Sequence, residues 1–202
     1  IYEEAYGRSV GAGNPERSLV YLERMAQRFS EQRGATLRTI GATQLTQAYN
    51  DANRNLEARA EEVAVLAEKN LREAITLDNV ATSHLLLAEM LLSVDRDDEA
   101  EAEFQEAISL SPNPQEEAAL EAGLGNLAMR REQLEEAIPH YERVIQLDPE
   151  YTGIWFNLGF AHRHLQHFDE ALEAYKRAVQ QEPDDMRTYS EMTAIYMNKG
   201  DK

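Results

Sequence analysis

The chain has 202 residues, 43% hydrophobic and 28% charged, a composition that folds and can bury a continuous core. It holds no cysteine, which excludes disulfides, thiol catalysis and cysteine-ligated zinc and leaves the compartment open. The net charge of −17 argues against nucleic acid as a main partner, because phosphate binding needs a basic surface.

No stretch approaches about 18 consecutive apolar residues, so no membrane-spanning helix is expected. Neither a targeting signal nor an initiating Met is visible. The charge is uneven: residues 1–80 hold 10 basic and 12 acidic residues, residues 81–202 hold 10 and 25. The acidic half offers either a solvated outer face or a surface for a basic partner.

Every local signal is helical. Tyr2, Ala5, Tyr6 and Ser9 share one helical face, residues 11–15 read as a turn, and Pro15 suits a helix start. Leu19, Leu22, Met25, Ala26 and Phe29 then recur at helical spacing. Residues 34–80 leave two readings open. One is a hairpin of two long helices turning near residues 50–55, which are rich in Asn and Asp. The other is a single long helix, because Leu45, Tyr49, Ala52, Leu56, Ala60, Val63 and Ala67 keep steps of three and four. Asp97, Asp98 and Glu99 read as caps at a helix N-terminus. Pro139 falls early enough in a helix to bend rather than break it.

Residues 152–185 carry the most specific pattern. Trp155, Leu158 and Gly159 stand on a first helix, Ala171, Tyr175 and Ala178 on a second, and Pro183 ends it. Gly125, Ala137, Tyr141 and Pro149 take the same places one period earlier. Ala88, Ala100, Phe104 and Pro112 take them again, one slightly longer step before that. The pattern resembles the tetratricopeptide repeat, Trp-x2-Leu-Gly-x2-Tyr then Ala-x3-Phe then Pro in about 34 residues. One departure is His162, where that family carries an aromatic residue.

The resemblance implies an all-α, right-handed superhelix (solenoid) of stacked antiparallel helix pairs, five and a half repeats long. The units read as 1–33 (degenerate), 34–80 (extended), 81–117, 118–151, 152–185 and a first helix at 186–202. In the extended unit, the stretch from Gly41 to Ala67 is more than twice that from Gly125 to Ala137, an excess of roughly four helical turns. The pattern begins and ends partway through a unit, so the chain reads as a piece of a longer array. Trp155 is expected in the core of its repeat.

Sites of chemistry are sparse. Gly123-Leu124-Gly125 follows no strand, so no cofactor is expected. His162, His164 and His167 lack a carboxylate at ligand spacing, so no metal is expected. No nucleophile–base arrangement stands out, and the fragment reads as non-catalytic.

The resemblance places the first helices on the concave side of the superhelix. The candidate peptide-binding residues are therefore Leu85, Leu86, Asn126, Met129, Arg130, Phe156, Asn157, Phe160, Arg163, His164 and Arg187. Apolar side chains among a few polar groups suit a groove for an extended peptide of apolar and acidic residues. Arg130, Arg163 and Arg187 would either anchor its acidic groups or pair with the chain's own carboxylates. A subfamily with a five-residue carboxylate clamp for chaperone tails is matched at Asn126 and Asn157 and approximated at Arg187. Ala122 and Glu191 depart from it, so chaperone-tail binding is not expected. The function implied is a scaffold or adaptor for a protein partner. The alternatives are a docking domain of a larger enzyme, such as a glycosyltransferase or peptidase, and a self-assembly module acting through the C-terminal helix.

Overall fold

The computed structural model describes residues 2–11, 15–28, 30–53, 57–110 and 112–200. Among them are eleven α-helices, one short 3-10 turn and no strand. The chain divides into two compact units, Ile1–Ser111 and Pro112–Lys202.

The first unit holds α1 (Tyr2–Gly11), α2 (Pro15–Arg28), α3 (Arg33–Ala52), α4 (Glu57–Leu77), α5 (Ala81–Ser93) and α6 (Asp97–Ser109). Each helix packs on its neighbour in sequence. Leu22, Ala26, Leu37, Ile40 and Ala74 form one core cluster, and Phe104 on α6 is wholly buried. Phe29 and residues 12–14 of the expected turn lie outside the described residues.

Residues 34–80 fold as two helices, α3 and α4, of 20 and 21 residues against 13 each for α5 and α6. At about 1.5 Å per residue, the surplus adds roughly 10 Å to each. They run antiparallel: Arg33 meets Glu73 at 2.6 Å, Asn70 donates to Gln44 at 2.8 Å, and Arg59 reaches Asp51 at 3.2 Å. Asn50, Asp51 and Ala52 are the last residues of α3 rather than turn residues, and residues 54–56 lie outside the described residues. The stripe through Leu45 and Tyr49 is out of phase with the real interface. The buried face of α3 passes through Leu37, Ile40, Gln44, Ala48 and Asp51, while Tyr49 is 67% exposed.

The acids at the start of α6 fill its first turn, but the N-cap residue is Arg96, which makes no capping side-chain bond. Its guanidinium instead binds Glu99 at 2.6 Å and Glu68 at 2.7 Å. The acids of the first turn favour the positive end of the helix dipole.

The second unit holds α7 (Pro114–Arg130), α8 (Leu134–Leu147), α9 (Ile154–His164), α10 (Phe168–Gln181) and α11 (Met186–Lys199). Asn113 starts α7 with a capping box: its side chain accepts from the Glu116 backbone, while the Glu116 carboxylate accepts from the Asn113 backbone. Helix α8 runs unbroken through Pro139. The pairs α7/α8 and α9/α10 are built alike. A Cβ on Gly125 would lie 2.5 Å from the Tyr141 ring, and one on Gly159 would lie 2.7 Å from Tyr175. The small residue lets the second-helix ring press against the first helix's backbone, and both tyrosines are wholly buried. The inter-helix turns also match. Asp95, Glu132 and Gln166 occupy equivalent places and all adopt positive φ, between 58° and 62°.

Trp155 is half-buried rather than central. It packs on the edge of the cluster formed by Tyr141, Val144, Ile154 and Leu158, and its indole N–H points at the Pro149 carbonyl, 3.4 Å away. The core aromatics are those of the second helices, Phe104, Tyr141 and Tyr175, because they are enclosed by helices on several sides.

Candidate peptide-binding face

Within the second unit, the first helices α7, α9 and α11 bring most of the candidate residues onto one face. Helical spacing of three and four puts Phe156, Asn157, Phe160, Arg163 and His164 on one side of α9. Asn126 on α7 joins them directly: Asn157 Nδ2–H donates to Asn126 Oδ1 at 3.1 Å. The Tyr141 hydroxyl donates to the same oxygen at 3.0 Å. These two bonds fix the Asn126 Oδ1 as a shared acceptor and so set the orientation of the carboxamide. Burial pushes the Tyr141 phenol far above its ordinary pKa, so it remains a donor.

An aromatic row runs along α9. Phe156 and Phe160 stack with centroids 6.3 Å apart, and the His164 ring lies 4.2 Å from Phe160. Phe156 also touches Tyr175, with ring centroids 5.8 Å apart, and the Arg187 guanidinium sits over the Phe156 ring at 5.1 Å. The Tyr175 hydroxyl is buried with no hydrogen-bond partner. Phe160 takes the place in its repeat that Asn126 holds in the preceding one, and it offers no oxygen to accept from that hydroxyl. Burial, reinforced by Glu191, raises the Tyr175 phenol pKa well above its usual value.

Arg163 and Arg187 each meet a carboxylate of the chain itself. Arg163 Nε lies 2.9 Å from Glu191 Oε2, and Arg187 Nε lies 2.8 Å from Asp185 Oδ1. Of the two roles open to them from sequence, the structure shows intrachain pairing. Hydrogen bonding from Arg187 holds the Asp185 carboxyl below its ordinary pKa against a desolvation cost of opposite sign. Arg130 is exposed at the end of α7, while Met129 packs partly against the core cluster of α7 and α8. Leu85 and Leu86 are half-buried on α5 of the first unit.

A cavity of about 140 Å³ opens beside Phe156, Asn157 and Arg187, its far wall formed by Gln181, Glu182 and Asp185. These last three were missed from sequence because they follow the last core position of α10, Ala178, and read as connector. The signal available was their place immediately before Arg187, where the chain must cross from α10 to the start of α11. A second, open depression lies where Trp155, Leu158 and His162 meet α10.

The histidines do not converge. His162 faces His167 with ring centroids 5.7 Å apart, while His164 joins the aromatic row instead. Among the described residues no cluster of three or more His, Cys, Asp or Glu could hold a metal ion. No described helix is long and apolar enough to cross a membrane.

Family profiles described as tetratricopeptide repeat match residues 81–114 and 128–200. The tetratricopeptide repeat-containing protein trd-1 of Caenorhabditis elegans is 33% identical over 99 residues, 49% of this chain but only 13% of that protein. Among solved structures, Pseudomonas aeruginosa PilF superposes with a TM-score of 0.80 at 15% identity, covering 99% of this chain and 83% of that one. MamA follows at 0.68 and 20% identity, covering 90% and 96%. YrrB, described as a tetratricopeptide repeat protein with an unusual peptide-binding site, gives 0.57 and 20%, covering 79% and 78%. At these identities the likeness is one of fold: an all-α solenoid of stacked antiparallel helix pairs.

Proposed function

Because the chain is a tetratricopeptide repeat protein, we propose that it is a non-catalytic scaffold that holds an extended segment of a partner protein on the α7–α9–α11 face. The observation that carries this reading is the row of Arg187, Phe156, Phe160 and His164 beside a cavity of about 140 Å³. Half-buried aromatic rings next to a small cavity supply apolar area, and the fixed carboxamides of Asn126 and Asn157 supply donors and an acceptor for a peptide backbone. The peptide-binding site described for YrrB, a protein of the same fold, supports this kind of role.

Intrachain pairing of Arg163 and Arg187 changes the expected ligand. Their charges are already compensated, so we assign recognition to apolar and aromatic side chains and to the backbone rather than to acidic groups. Leu85 and Leu86 stay proposed contacts of the first unit on the strength of their place on its first-type helix α5.

The test is selection of binders from a displayed random-peptide library on this chain, then titration against Asn157→Ala/Phe160→Ala. Arg163 is left intact, because its loss would strand a buried Glu191 oxygen. Selected peptides should be enriched in apolar and aromatic residues and lose at least tenfold in affinity, with helicity unchanged. Peptides that bind the double variant as tightly as the parent would refute the assignment of this face.

A further inference from the structure

In the first unit a single carboxylate stands in the middle of an apolar strip. At about 100° per residue, Leu85, Leu86 and Leu92 of α5 fall within roughly 60° of Glu89. The three leucines are half-buried, and Glu89 keeps an opening to solvent. The far side of α5 is its core side, where Leu87, Ala88, Met90 and Leu91 are buried. Helix α3 flanks the strip. Its Arg38 reaches Ser83 at the start of α5, with Nη1 3.4 Å from the Ser83 hydroxyl, so this side of α3 faces α5. Ala42, Leu45 and Tyr49 follow Arg38 at steps of four, three and four and share that side. Helix α5 runs back along α4, since Arg96 beyond its end meets Glu68 at 2.7 Å, and so lies parallel to α3. Counting on from Arg38 and Ser83 puts Leu45 about level with Glu89, and the exposed Tyr49 one turn beyond. The stripe on α3 that its contact with α4 does not use thus becomes the flank of a groove.

We propose that this strip is a second ligand site, which takes a peptide segment carrying a lysine or arginine between apolar residues, the cation on Glu89 and its neighbours on Leu85, Leu86, Leu92 and Tyr49. The inference rests on the scaffold reading above and adds a contact of different chemistry in the first unit. Charge selects the occupant. Among the described residues no hydrogen bond or ion pair reaches the Glu89 carboxylate. Arg38, the base on this side of α3, is held by Asp78 at 2.6 Å. Burial against the surrounding surface pushes the Glu89 carboxyl above its ordinary 4.5. An ionised carboxylate in apolar surroundings is costly until a cation meets it, and there the attraction is stronger than in open water. A chain of net charge −17 also draws basic segments toward it. The leucines and Tyr49 then decide which of those segments stay, because they reward apolar neighbours on either side of the cation.

The test is selection from a displayed random-peptide library on the immobilised parent chain, with excess Glu89→Gln variant in solution as competitor. Glu89→Gln keeps the size of the side chain and removes only its charge. Peptides that survive the competition should carry Lys or Arg flanked by apolar residues. Synthesised and titrated, they should bind Glu89→Gln roughly tenfold or more weakly than the parent. They should bind Asn157→Ala/Phe160→Ala as well as the parent, which separates this site from the α7–α9–α11 face. Glu62→Gln, at an exposed acid on α4, removes the same charge elsewhere and should leave binding unchanged. Circular dichroism should show equal helicity for all the variants. Survivors without an excess of Lys or Arg overturn the proposal. So do peptides that bind Glu89→Gln as tightly as the parent, or that weaken equally with Glu62→Gln, which would reduce the effect to general attraction by net charge. Peptides sensitive to Asn157→Ala/Phe160→Ala but not to Glu89→Gln also overturn it, while leaving the α7–α9–α11 assignment standing.

Discussion

Replacing Gly159 by Ala sets two effects of opposite sign against each other. Alanine is the better helix former, and in an exposed helix the change should stabilise by about 1 kcal/mol. Gly159 is not exposed: an added methyl would lie 2.7 Å from Tyr175 Cδ1 and 2.8 Å from Cε1. The ring cannot swing away, because Tyr175 is wholly buried and belongs to a cluster with Ala171, Leu172 and Ile195, with Phe156 against it. The helices must part by several tenths of an ångström, and overpacking of this kind costs about 1–3 kcal/mol. The net expectation is a loss centred near 1 kcal/mol, or about 2–4 °C in Tm at this chain length. Trp155 is the only tryptophan and sits on the same helix, so its fluorescence during thermal unfolding reports on this unit. Gly7→Ala in α1, followed by circular dichroism, is the control, because among the described residues nothing beyond its own helical turn lies within 4 Å of the added methyl. It should stabilise, or be neutral. A Gly159→Ala variant as stable as the parent, or more so, would refute the packing argument and leave propensity as the governing term.

Two further outcomes follow from the turns and from His162. Glu132 and Gln166 hold φ of 60° and 62°, which costs an L residue about 1–2 kcal/mol. Glu132→Gly and Gln166→Gly should therefore each stabilise by about 0.5–1 kcal/mol after the added freedom of the unfolded chain, read as a higher urea midpoint. Unchanged midpoints would mean the turns carry no strain. Burial chiefly lowers the His162 pKa below its ordinary 6.5, with His167 adding to it and Glu170 and Glu142 opposing. The unfolded chain thus binds this proton more readily. The contribution to stability is complete above pH 6.5 and is lost as pH falls through the lower folded value. His162→Phe should remove that part of the acid sensitivity, and an identical pH profile for the variant would disprove it.

The fold class was legible in the sequence because the constraint that sets it is local and repeated. Gly125 and Gly159, with Tyr141 and Tyr175 at a constant separation, encode the same close approach twice, and a pattern of this kind survives reading one residue at a time. The candidate face was legible as positions, since helical spacing alone places Phe156, Asn157, Phe160 and Arg163 on one side of α9. What those side chains do was not. Whether Arg163 is available to a ligand depends on Glu191, far along the chain on another helix, and only packing brings the two to 2.9 Å. The same holds for Gln181, Glu182 and Asp185, which became cavity walls because α10 ends against the start of α11.

The long hairpin shows where sequence runs out most plainly. Leu45 and Tyr49 keep helical period with the residues beyond them, so periodicity fits both one helix and two. Tertiary structure decides through α3 and α4 packing on each other, which buries the phase through Ile40, Gln44 and Ala48 and leaves Tyr49 exposed. Trp155 makes the same point at the scale of one side chain. Helical spacing put it on one face of α9 with Leu158 and Ala161 and led to the expectation of a core position, but enclosure is a property of how many elements surround a residue. Tyr175 has neighbours on α9, α10 and α11 and is sealed, while Trp155 lies at an edge and keeps one side open.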